Sequence, residues 1–154
     1  MASNSCQVDF YVLEDPRKSV AHLACQLAVM AWEQGLRSLV VSADSNQAQQ
    51  LDELMWSAPQ GRFLPHQLIH EGKQAPVSIG TLADLDHAEA EVVINLDIAS
   101  VPNPHRFRRL LELVPAREAE RDASRIKFRT YREQGLNPQS HSMGHSMGHN
   151  TSSN

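Results

Sequence analysis

The chain is short of most residue types around which catalytic and metal centres are built. It has two cysteines, Cys6 and Cys25, too few for a disulfide framework or, alone, for a zinc site. Cys25 falls inside an apolar helical run, where a thiol serves as a small core residue. Aromatic residues make up only 5% of the sequence, so Trp56 and Phe63, on either side of the break Ala58-Pro59-Gln60-Gly61, stand out. No apolar run approaches the ~20 residues of a membrane span. The opening MASNSCQVDF lacks the basic and apolar regions of a signal peptide, and a cytoplasmic location with no membrane partner is expected.

Glycine is also scarce, at 7 residues, and is missing where nucleotide-binding folds need it. The turn after the first predicted strand is Glu14-Asp15-Pro16-Arg17-Lys18. It has no glycine, and its two acidic side chains repel a phosphate instead of cradling it. There is no G-x-x-x-x-G-K-[ST], no G-x-G-x-x-G and no G-x-S-x-G, which removes the usual phosphate loops and the nucleophile elbow. Asp44 and Asp97 fall at the C-terminal ends of predicted strands, where α/β enzymes place catalytic groups. Without a nucleophile beside them, capping and loop roles suit them better. His66 has the chemistry of a general base, yet a structural histidine bonded to nearby backbone is the simpler reading. No catalytic residue, cofactor or metal is expected, and a nucleotide-dependent hydrolase or transferase on this scaffold is the alternative.

What is present is an uneven charge. The chain of 154 residues has a formal charge of -4 and is long enough for one domain that buries roughly two-thirds of its unfolded surface. Residues 1–104 carry 5 Lys/Arg against 13 Asp/Glu, a balance of -8, whereas residues 105–135 carry 9 against 5, a balance of +4. From Leu136 onward there is no Lys, Arg, Asp or Glu. An acidic body disfavours broad contact with a phosphate backbone, and a local basic patch on it suits an acidic peptide or partner protein.

The elements follow from periodicity. Val8–Leu13 has strand composition. Val20, Leu23, Ala24, Leu27, Ala28 and Ala31 recur at helical spacing, with Ser19 as N-cap and Gly35 just past the end. Residues 38–42 read as a strand buried on both faces, and Gln47–Met55 as a second helix. Pro76–Ile79 and Glu91–Leu96 are further strands. Asn103-Pro104 opens a short helical segment, and Leu110–Val114 is a last strand. Strands and helices in alternation predict an α/β protein, a three-layer open, mostly parallel, Rossmann-like sheet with flanking helices and no phosphate-binding loop.

The final helix, Ala116–Gly135, carries the basic patch. A projection at 100° per residue puts Ala119, Ala123, Ile126 and Thr130 on one side, expected to face the core. Arg117, Arg121, Arg125, Arg129 and Arg132 fall opposite, with Phe128 inside their stripe. A solvated face is one reading of such a stripe, and a direct nucleic-acid site is another. Beyond Asn137, the repeat His-Ser-Met-Gly predicts a disordered tail over residues 138–154, after a single domain over 1–137. His141, His145 and His149 are spaced by four, but the glycines between them oppose the helix that would gather them round a metal.

Taken together, several stretches resemble one family. They are Phe10-Tyr11-Val12-Leu13, residues 31–37 (AWEQGLR), Leu51–Trp56 (LDELMW), Phe63-Leu64-Pro65-His66 with Leu68, and residues 129–137 (RTYREQGLN). In this order and spacing, from about Val8 to Asn137, the chain resembles the chi subunit of bacterial DNA polymerase III holoenzyme, a clamp-loader accessory protein. The resemblance implies a non-catalytic adaptor in DNA replication. One surface would bind the psi subunit, and another the acidic C-terminal tail of single-stranded-DNA-binding protein, so that DNA is met only indirectly through the replisome. It places psi binding at Trp56, Phe63, Pro65 and Leu68, and tail binding at Val114, Arg121, Arg125, Phe128 and Arg129. Phe128 and Arg129 depart from the common tyrosine and lysine, which keeps the aromatic wall and the charge but loses a phenolic hydroxyl.

Overall fold

The computed structural model describes residues 6–57, 64–72 and 74–143. Seven strands, β1 (Gln7–Leu13), β2 (Ser38–Val41), β3 (His66–Leu68), β4 (Val77–Gly80), β5 (Val92–Asn95), β6 (Arg109–Val114) and β7 (Gln139–Met143), form one sheet in the order β3-β4-β2-β5-β6-β1-β7. Every pairing is parallel. Helices α1 (Val20–Glu33) and α2 (Ser45–Ser57) cover one face, and α3 (Glu118–Glu133) covers the other. The α/β three-layer expectation therefore holds, and the sheet is wholly parallel.

Alternation along the strands builds the two cores, because successive side chains leave opposite faces of a pleated strand. Val40, Ile94, Leu111 and Leu113 pack under α1 and α2, while Leu39, Val41, Val93, Leu110 and Val114 face the α3 side. Both Cys6 and Cys25 are buried core thiols, and burial pushes each up to about 11, so neither is a ready nucleophile.

The helix ends behave as the sequence predicts. Ser19 Oγ accepts from the Ala21 and His22 amides at the start of α1. At its end Gly35 takes a positive φ of 78°, and the Leu36 and Gly35 amides reach back to Ala31 and Trp32. This six-to-one closure needs a left-handed residue, which glycine adopts without a Cβ penalty. Gly135 ends α3 in the same way, through the Leu136 and Gly135 amides. Asp44 caps α2 through the Gln47 amide at 2.8 Å, and Asp97 closes a local turn by accepting from the Ala99 amide at 2.9 Å. Asn103 has φ 48° and makes no side-chain cap, so it starts its 3₁₀ turn by backbone geometry instead.

Three expectations need correction. The sheet continues past residue 137: Gln139–Met143, expected in a disordered tail, pairs with β1 from Asp9↔Gln139 to Leu13↔Met143. Residues 144–154, including His145 and His149, lie outside the described residues. β3, a three-residue edge strand after Pro65, is absent from the strands expected from periodicity. Finally, α3 is turned by about one residue from the expected face, about 100°. Ile126 is 59% exposed, whereas Lys127 and Tyr131 are the buried residues of α3.

The reason lies beneath α3. Glu112 on β6 is completely buried and gathers polar partners. Lys127 Nζ donates to its Oε1 at 2.7 Å and Tyr131 Oη to its Oε2 at 2.5 Å, and Asn95 Nδ2 donates to both oxygens. Lys127 also donates to the Asp97 carbonyl, and the Val101 amide donates to Tyr131 Oη. Burial pushes the Glu112 carboxyl up despite the pull of Lys127, and burial together with Glu112 pushes the Tyr131 phenol up. Removing one partner of such a pair typically costs 3–5 kcal/mol, so the network fixes the rotation of α3 strongly.

Candidate functional site

The rotation that buries Lys127 and Tyr131 carries the arginines onto an accessible flank. Phe128 is half-buried and rests on Phe10, with ring centroids 5.3 Å apart. Its remaining surface, with Arg125, Arg129, Arg132 and Glu133, lines an open notch of about 480 Å³. Neither Arg129 nor Arg132 makes an ion pair among the described residues, whereas Arg125 Nη1 meets Asp122 Oδ1 at 2.5 Å. Exposed cations round an apolar floor form a surface for carboxylates with an attached hydrophobic group, because guanidinium forks pair carboxylates in two-point fashion.

Of the five residues expected here, the structure brings Arg125, Phe128 and Arg129 together. Arg121 lies one turn back, in an adjoining cleft of about 350 Å³ with Glu14, Arg117 and Arg125, and its Nη2 donates to the Leu13 carbonyl at 3.4 Å. Arg125 borders both clefts. Val114 is only 2% exposed and lines a different cleft, at the C-terminal edge of the sheet. It does not wall the arginine notch. Arg132 was legible as part of the stripe but was not expected as a lining residue. Glu133 gave no signal, since an acidic group bordering a basic notch breaks the pattern.

The second region is at the other edge of the sheet. Trp56, on the last turn of α2, is 61% exposed and sits edge-on to the His66 ring, 5.1 Å between centroids. The imidazole is buried: Nδ1 donates to the Leu64 carbonyl at 2.7 Å, and Nε2 lies 3.0 Å from Asp52 Oδ1. His66 is thus a structural histidine that supports the indole. Pro65 and Leu68 are half-buried beside it, and Leu68 packs on the core under α2. Phe63 lies outside the described residues.

The turn after β1 folds on itself, with Asp15 accepting from the Arg17 amide and guanidinium. Those hydrogen bonds hold the Asp15 carboxyl down at about 2. This places a fixed negative charge where a phosphate would need donors. Among the described residues no cluster of His, Cys, Asp or Glu could hold a metal ion, and no helix is long and apolar enough to cross a membrane.

Comparison with known proteins agrees with the collinear motifs. The family described as DNA polymerase III chi subunit, HolC, matches residues 6–139. The chain belongs to the DNA polymerase III chi family. It is 40% identical over 139 residues to DNA polymerase III subunit chi of Pseudomonas aeruginosa, covering 88% of this chain and 95% of that one. It is 30% identical to the Escherichia coli subunit over 135 residues, covering 83% and 92% of the two chains. The Haemophilus influenzae subunit is 29% identical over 138 residues, covering 88% and 96%. The match to the chi family ends at residue 139, so most of β7 and everything after it lies beyond the matched segment.

Proposed function

We propose that this chi-family protein is a non-catalytic adaptor of the DNA polymerase III clamp loader. It joins the psi subunit to the acidic C-terminal tail of single-stranded-DNA-binding protein. The observation that carries the reading is the notch on α3, where Arg125 and Arg129 flank the exposed side of Phe128. A disordered acidic tail ending in a phenylalanine needs both a cationic surface and a small apolar seat. Trp56, Pro65 and Leu68, on the opposite edge of the sheet, form the psi contact, and Phe63 belongs to it by the family resemblance. That contact is apolar and suits a lasting subunit interface. Such a notch binds its peptide weakly, at roughly micromolar affinity, and more weakly as salt rises.

The test is a pull-down of single-stranded-DNA-binding protein with and without its last residues, alongside co-purification with psi. Capture that depends on the intact tail supports the notch, and equal capture of the truncated protein overturns it. Tight binding of single-stranded DNA by the isolated chain, with a steep salt slope, would instead make the arginine stripe a direct nucleic-acid site.

A further inference from the structure

Across α3 from the arginine notch is a surface of opposite character. At the C-terminal edge of the sheet, a cleft of about 440 Å³ has an apolar floor that includes Val20, Leu96, Leu113 and Pro115. Ile98 and Ala123 form its lip, and Ile98 is 54% exposed. The lip continues along the outer side of α3 to Ile126, 59% exposed, since Ala119, Ala123 and Ile126 follow helical spacing. Ile98 and Ile126 are two of only four large hydrophobic residues exposed among the described residues.

The cleft's charge identifies what would cover it. Asp44, Asp97 and Glu120 line it against Arg117 and Lys127. The Lys127 ammonium is already matched by Glu112 at 2.7 Å, so the unmatched charge is negative. Glu120 Oε2 already lies 3.6 Å from Arg117, which leaves Asp44 and Asp97 as the carboxylates open to an incoming guanidinium or ammonium.

We propose that this cleft and the apolar pair Ala123 and Ile126 beside it form a second peptide-docking surface, which takes a cationic amphipathic segment of a partner protein. Aliphatic side chains of the segment cover Ile98 and Ile126, and a basic side chain reaches Asp44 and Asp97. The acidic rim rejects the acidic peptides that the arginine notch accepts, so the two sides of α3 select partners of opposite charge.

The probe is a fluorescein-labelled peptide of about twelve residues with leucines at i, i+3, i+4 and i+7 and flanking arginines, which matches an amphipathic helix. Its control has the same composition in scrambled order. Fluorescence anisotropy with the full chain at near-physiological salt should show the amphipathic peptide binding at least about 10-fold tighter than the control. Ile98→Asp, Ile126→Asp and Glu120→Lys should each weaken it by about 10-fold or more, a difference of about one decade in Kd. Equal binding of the scrambled peptide, or unchanged affinity in all three variants, overturns the proposal. Amide shifts of the wild-type chain decide independently of how the variants fold. Perturbations centred on Ile98, Ala123 and Ser124 support the site, and perturbations confined to other surfaces refute it.

Discussion

The two edges of the sheet are held by the same pair of residue types with the burial reversed. At β3 the histidine is buried and the aspartate is partly exposed: the His66 side chain is 0% accessible and that of Asp52 30%. At β7 the aspartate is buried and the histidine is exposed, with Asp9 at 4% and His141 at 46%. His66 therefore acts as a piece of core that carries an exposed indole on its edge. Asp9 acts as a buried anchor that also holds Arg109 at 2.9 Å and Gln7 at 3.1 Å, while His141 stacks on Tyr11 from outside. Burial, not residue identity, decides which partner the edge depends on. The consequence reaches the two proposed docking regions, because Trp56 stands on the β3 edge. The end of β7 meets the arginine clefts, where Ser142 donates to Glu14.

The widest separation between the edges should come from deleting each histidine. His66→Ala removes a buried ring and strands the Leu64 carbonyl and Asp52 carboxylate, so urea denaturation should show a loss of about 2–4 kcal/mol. The same substitution at His141 removes a half-exposed partner and should cost under about 1 kcal/mol. Equal losses at the two positions would remove the asymmetry.

The sequence makes the interior of this fold legible and its margins obscure, for one physical reason. β2, β5 and β6 are covered on both faces, so they read as unbroken apolar runs such as Leu39-Val40-Val41 and Val92-Val93-Ile94. β3 and β7 are edge strands of three and five residues, and Gln139-Ser140-His141-Ser142 contains no hydrocarbon side chain to betray a strand. α3 was legible as a helix but not in its rotation. Its buried side is occupied by Lys127 and Tyr131, whose polar heads are satisfied by Glu112, and a count of aliphatic residues points instead to Ile126. The arginine notch was legible because charge at helical spacing survives such a rotation. Val114, which the resemblance sets with the arginines, lines a separate cleft, and the helical spacing of the arginines carries no information about a strand residue.

Next in size is the effect of the apolar contact itself. On the proposed psi contact, Trp56→Ala should abolish psi co-purification, the loss of at least about 2 kcal/mol expected of an interface tryptophan. Because the indole is 61% exposed, stability in the isolated chain should change by no more than about 0.5 kcal/mol. Binding of an Asp-Phe-terminated acidic peptide should be untouched, and its loss together with psi would mean that the two edges are not independent.

Arg125→Ala should weaken that acidic peptide by about 1.5 kcal/mol, the worth of one charge-assisted hydrogen bond. The effect should shrink as salt is raised from low to physiological concentration, since exposed charges are screened over about 8–10 Å there. The psi contact should show little salt dependence. Unchanged peptide affinity in a low-salt titration would remove Arg125 from the site, and an equally salt-sensitive psi contact would erase the distinction between the edges.

The smallest effect concerns acid stability at the β7 edge. Burial alone would raise the Asp9 carboxyl, but hydrogen bonds from His141 and Arg109 outweigh it and hold the carboxyl below its ordinary value of 3.8. A carboxylate depressed in the folded state stabilises the fold above its unfolded pKa, and that contribution is lost as pH falls through the lower folded value. Stability from Asp9 should therefore be complete by about pH 5 and fall away below about pH 4. His141→Ala removes one of the donors, so the folded carboxyl moves up and the loss begins at higher pH. Urea midpoints of wild type and variant should differ at pH 5 and draw together as acid protonates Asp9 in both. A gap that stays undiminished as the pH is lowered would show that His141 holds β7 by stacking on Tyr11 and not through Asp9.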